Sequence, residues 1–134
     1  MKGFLAVVLG LSLCTVGCAD PPAPATPTPV TPTVTETFTG QLLVLGSNSH
    51  TFTVTQIGGL QVTLNGVTPP AAIGVAVGTP SGATCLPSQT LTAVADPTAQ
   101  ISGTATITGS FCVIVYDVGG LVEAVNYTLT VLHS

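Results

Sequence analysis

The sequence predicts an all-β chain, an antiparallel two-sheet β-sandwich of about eight strands behind an export leader and a stalk. Three observations carry the fold class. Apolar and polar residues alternate with period two in one stretch after another. No segment from Glu36 onward shows an apolar period of 3.6. Turn residues recur at near-regular intervals, as short strands require.

Taken in order, Met1-Lys2 and the apolar run Gly3 to Leu13 read as the charged and hydrophobic regions of a bacterial export signal. The following Thr15-Val16-Gly17-Cys18 resembles a lipobox, in which a small residue precedes the cysteine that becomes the lipidated first residue. Thr15 stands where leucine is usual, and ordinary cleavage after Ala19 is the alternative. Residues 1–17 are thus expected to be a lipoprotein signal peptide with Cys18 as the lipidation site. Cys14 is a small hydrophobe inside the leader. Several acyl chains on Cys18 would anchor the protein firmly, since one chain alone is marginal. Residues 18–35 carry the run PPAPATPTPVTPTVT, whose proline density forbids helix and sheet and predicts an extended, semi-rigid stalk.

Residues 36–134 are the expected sandwich domain. Phe52 and Val54 alternate with Thr51, Thr53 and Thr55, and Leu60, Val62 and Leu64 with Gln61, Thr63 and Asn65. Val125, Tyr127, Leu129 and Val131 alternate with Asn126, Thr128 and Thr130. Each such strand buries one face and turns a threonine ladder to water. Turns at Gly46-Ser47-Asn48, Gly58-Gly59, Asn65-Gly66 with Pro69-Pro70, Pro80-Ser81-Gly82, Asp96-Pro97, Gly109-Ser110 and Gly119-Gly120 divide the domain. The strands between them fall near 37–45, 50–57, 60–66, 71–78, 84–94, 99–107, 111–118 and 124–132. Such a set forms an Ig-like or jelly-roll sandwich, and the absence of tryptophan and of a Cys-Trp-Cys pattern argues against a true immunoglobulin domain. The run Gly109 to Gly120 has apolar residues of both parities, which predicts a strand covered on both faces near the centre of a sheet.

Of four cysteines, Cys85 and Cys112 remain once Cys14 and Cys18 are set aside, and in an exported chain they can pair only with each other. That staple is worth ~3 kcal/mol. A metal role for the two thiols would need further ligands, and His50 and His133, the only nitrogen candidates, lack metal-motif spacing.

The order Ile57-Gly58-Gly59, Leu60-Gln61-Val62-Thr63-Leu64, Gly109 to Asp117, and Tyr127-Thr128-Leu129-Thr130-Val131 resembles the bacterial pre-peptidase C-terminal domain. The resemblance spans Glu36 to Val131 and implies a non-catalytic accessory module of jelly-roll type. Some relatives bind calcium or matrix polymers, but their clustered acidic residues are reduced here to Glu36, so no calcium ligand is carried over. No peptidase segment accompanies the module in this sequence.

Charge excludes further classes. Charged residues make up 4% of the chain, and the one basic residue, Lys2, lies in the leader. Nothing is left to neutralise phosphates, which excludes nucleic acid as a partner. The mean hydropathy of +0.70 comes from short apolar pieces, none after the leader approaching the ~18 residues of a spanning helix. The carboxylates Asp20, Glu36, Asp96, Asp117 and Glu123 are scattered; Asp117 and Glu123 could face each other across a last hairpin as a weak calcium site. For catalysis, His133 is expected to fray as the penultimate residue, and His50 has no orienting carboxylate by spacing. No catalytic residue, cofactor or metal site is therefore predicted. The expected function is a non-catalytic, lipid-anchored cell-envelope module with a structural or adhesive role. The alternatives are a calcium- or polysaccharide-binding module, or an accessory protein of an exported peptidase. The expected membrane contact is the lipid alone, and the expected place is the outer membrane or cell surface.

Overall fold

A computed structural model describes residues 33–95 and 99–134. Cys14, Cys18, the stalk up to Pro32, and the expected turn at Asp96-Pro97 lie outside the described residues. Eight strands follow one another: β1 (Val34–Leu42), β2 (Ser47–Val54), β3 (Gly58–Thr68), β4 (Ile73–Ser81), β5 (Thr84–Ala93), β6 (Gln100–Ala105), β7 (Gly109–Tyr116) and β8 (Val125–His133). They form two antiparallel four-stranded sheets, ordered β1-β8-β3-β6 and β2-β7-β4-β5. Four pairs nest, β1 with β8, β2 with β7, β3 with β6 and β4 with β5, as in one long hairpin rolled over itself. That is the jelly-roll order the sequence predicts.

The alternation puts Phe52, Val54, Val62, Leu64, Val75, Val113, Tyr127, Leu129 and Val131 into one core between the sheets. The outer face of the first sheet carries the threonines: Thr37 lies opposite Thr130, which lies opposite Thr63. Several turn signals are displaced. Gly58 and Gly59 open β3, and Asn65-Gly66 forms a bulge inside it, with the register shifting between Leu64 and Gly66. β1 opens at Val34, two residues into the segment read as stalk, because alternation resumes after the last proline.

β7 is an inner strand of its sheet, with Cys112, Val113 and Val115 buried. It shares that place with β4, whose residues from Ile73 to Gly78 are all buried. On the outer face of this sheet Tyr116 lies across Gly74, where a Cβ would meet its ring at 2.2 Å. Cys85 and Cys112 form a disulfide there, joining β5 to β7 across β4 with Cα atoms 5.9 Å apart. β7 and β8 belong to different sheets, so the last connection is a crossover and the expected hairpin is not formed.

The antiparallel order sorts the connections to two ends. Residues 55–57, 82–83 and 106–108 lie at the end where Val34 pairs with His133. Residues 43–46, 69–72 and 117–124 connect strands at the opposite end, where Leu42 pairs with Val125.

Candidate functional site

Both histidines, remote in sequence, are drawn in along the open side of the sandwich where β1 and β2 are edge strands. Alternation turns His50 of β2 inward. Its ring stacks on Phe38 of β1 at 4.8 Å, and its Nε2 lies 2.7 Å from the Tyr127 hydroxyl of β8. Burial holds His50 below the ordinary imidazole range and pushes the Tyr127 phenol up, so both stay neutral near pH 7. Their hydrogen bond ties one sheet to the other.

His133 does not fray. It is 2% exposed, placed between Val34 of β1 and Leu60 of β3, with Phe52 at 5.4 Å. Its Nε2 lies 2.9 Å from Oε1 of Glu36, and its Nδ1 lies 3.3 Å from the Ser134 carbonyl. The position near the chain end misled because β8 is an inner strand covered on both sides. His133 thus has both ring nitrogens directed at structural partners and His50 has its Nε2 so directed, and among the described residues neither is seen in a Ser-His-carboxylate arrangement.

The other charged constellation is at the loop end. Leu43 to Gly46 makes a tight turn, with Gly46 N–H donating to the Leu43 carbonyl at 2.9 Å. Leu45 occupies its left-handed position at φ 58°. Asp117 bolts this turn to the β7–β8 connection. Its Oδ2 accepts the Leu45 N–H at 2.8 Å, and its Oδ1 accepts those of Gly119, Gly120 and Leu121 at 2.8, 3.0 and 3.2 Å. The Asp117 N–H in turn donates to the Gly46 carbonyl at 3.0 Å. The Leu45 hydrogen bond is the largest cause holding this carboxyl below the usual carboxylate range; desolvation opposes it, and the Gly119, Leu121 and Gly120 amides add to it. A carboxylate that already accepts four amide hydrogens is poorly placed to be the calcium ligand considered with Glu123. Among the described residues no three His, Cys, Asp or Glu side chains form a metal-ligand group.

Beside this bolt is a cleft of about 260 Å³ walled by Pro69, Pro70, Ala71, Leu121 and Val122, with Glu123 on its lining. The Thr68-Pro69 peptide bond at its base is cis. Sequence reading marked Pro69-Pro70 and Gly119-Gly120 as turns, but nothing local says that the two turns share a wall.

No family model matches the chain, and no curated protein matches it in sequence. Among solved structures, the chain is similar to Aeromonas hydrophila PliG, a periplasmic lysozyme inhibitor of g-type lysozyme. The TM-score is 0.54 at 18% identity, covering 72% of this chain and 83% of that one. The likeness is one of fold. A protein of the Bacillus endospore appendages, a family of disulfide-linked pili, aligns at a TM-score of 0.34 and 9% identity, covering 76% of this chain and 88% of that one.

The sequence-predicted pair Cys85 and Cys112 is brought together as a bond. Asp117 and Leu45 were missed as a unit. An aspartate followed by two glycines is a legible turn signal, but its partner lies 72 residues away.

Proposed function

We propose that the chain is an exported, lipid-anchored module of the bacterial cell envelope that binds rather than catalyses, in a structural or adhesive role. One observation carries this reading. Among the described residues, both histidines, Asp117 and the two cysteines are committed to the fold: His50 to Tyr127, His133 to Glu36, Asp117 to four backbone amides, and Cys85 to Cys112. A buried disulfide in a domain this small also fits an oxidising compartment, as do the leader and Cys18. The resemblance to pre-peptidase C-terminal domains supports the same non-catalytic reading. PliG, an inhibitor of another protein, supports a protein as the partner ahead of calcium or a polysaccharide.

Mass spectrometry of the mature N-terminus tests the anchor. The expected product begins at an acylated Cys18, and an unmodified start at Asp20 would refute it. Calorimetric titration with calcium and a glycan array test the ligand alternatives, with no heat and no bound glycan expected.

A further inference from the structure

The loop end opposite the Val34–His133 pair exposes more apolar surface than folding requires. Leu43, Val44, Leu45, Val118 and Val122 are exposed there, Leu45 by 84% and Val122 by 92%. At the other end Ile57 and Ile107 stand singly in separate connections, and Val34, Leu86 and Leu132 are exposed along strands rather than gathered on connected loops. Leu45 carries two costs at once: a left-handed backbone that suits glycine or asparagine, and an apolar side chain in water. The backbone beneath it is nonetheless held by Asp117, so these side chains stand on a preformed surface, which lowers the ordering cost of binding. The adjoining cleft has apolar walls and one carboxylate, Glu123.

Charge and the cleft select the occupant. The anionic headgroups of a bilayer would meet Asp117 and Glu123 with no cation beyond Lys2 to hold them, and the apolar cleft would stay unfilled. A two-fold pair of copies would set this acidic end against itself. A protein partner that brings a cation satisfies both constraints, and the formal net charge of −4 favours its approach. We propose that this end of the sandwich docks a protein loop presenting an apolar side chain beside a lysine or arginine. The apolar group enters the cleft beside Pro70 and Val122, and the cation pairs with Glu123. The proposal rests on the binding-module reading and names its partner's chemistry.

The test uses the full-length chain in its processed form and two disulfide-cyclised peptides, one presenting Leu-Phe between arginines and one presenting Leu-Phe between glutamates. Amide chemical shifts are followed by NMR during titration. The arginine peptide is expected to move the amides of residues 43–46 and 117–124 and to bind more tightly than the glutamate peptide. Val122→Asp and Leu45→Asn should each weaken it by about tenfold, the scale of one lost aliphatic contact. Asparagine suits the left-handed turn, so the second variant keeps the fold intact. Glu123→Gln should remove most of the preference between peptides, about threefold for an exposed pair. Equal binding of the two peptides, shifts mapping to another face, or no shift with either would overturn the proposal. So would partition onto phosphatidylcholine vesicles, or self-association, that Val122→Asp abolishes. A chain found without lipid would refute the anchor and leave this docking surface standing.

Discussion

At Leu45 the chain keeps a residue that local energetics disfavour. A non-glycine residue in the left-handed region costs about 1–2 kcal/mol, and asparagine relieves part of it by local hydrogen bonding. Leu45→Asn is therefore expected to stabilise by about 1 kcal/mol, read as a rise in Tm; a fall would show that Leu45 packs usefully in the free protein. Asp117 supplies a second residue-scale prediction. Its folded pKa is depressed, so its stabilisation is complete above the unfolded carboxylate value of about 3.9 and is lost as pH falls through the lower folded value. The Leu45 amide resonance should report that titration with an inflection below 3.9, and Asp117→Asn should abolish the inflection. His50 gives a third. Its folded pKa is also depressed, so the neutral ring stabilises fully above about pH 6.5, and that contribution is lost as pH falls through the folded value. The urea midpoint should drop between pH 7.5 and 5, and His50→Gln should flatten the drop. An undiminished slope in that variant would move the effect to another group.

At the scale of elements, the crowded part is the outer face of β4. The residues facing out there are Gly74, Ala76 and Gly78, opposite Tyr116, Ile114 and Cys112 of β7, so small residues on one strand receive large ones from the next. Gly78 sits where the β4–β5 register shifts, and a Cβ there would lie 1.7 Å from the Leu86 carbonyl oxygen. Backbone cannot yield cheaply, so Gly78→Ala should cost about 3 kcal/mol in urea denaturation. Gly59→Ala, with nothing within 4 Å of the new methyl, should be neutral or slightly stabilising. Equal effects at the two sites would remove packing as the cause. The strands themselves were legible because alternation is local: Val125 to His133 announces its two faces without reference to any other strand. Pairing is not local. Nothing near His133 says that β1 and β3 will flank it, and nothing near Gly119 says that the chain is about to change sheets. The jelly-roll order therefore rested on exclusion of an immunoglobulin pattern and on a family resemblance. The candidate surface was less legible still, since its parts come from connections that only the nested pairing brings to one end.

The nesting has a kinetic consequence for the whole molecule. β1 must find β8 and β2 must find β7 across nearly the full domain, and loop-closure entropy is spent before those contacts reward it. Folding in the millisecond-to-second range is expected on that ground. The two ends of the described domain are neighbours, since Val34 lies opposite His133, so a short glycine-serine linker can join Ser134 to Thr33. Where the circle is reopened then decides the contact order. Opening at the β4–β5 turn only reverses the nest, making β1–β8 local and β4–β5 distant. Opening at residues 106–108 places β7 and β8 directly before β1, which shortens β1–β8, β2–β7 and β3–β8 and keeps β4–β5 local. The second permutant should refold faster than the parent in stopped-flow, while the first should refold at a similar rate. Both should keep a Tm close to the parent's, because every strand pair and the Cys85–Cys112 bond survive. Equal refolding rates in the two permutants would show that a step other than long-range strand pairing limits folding.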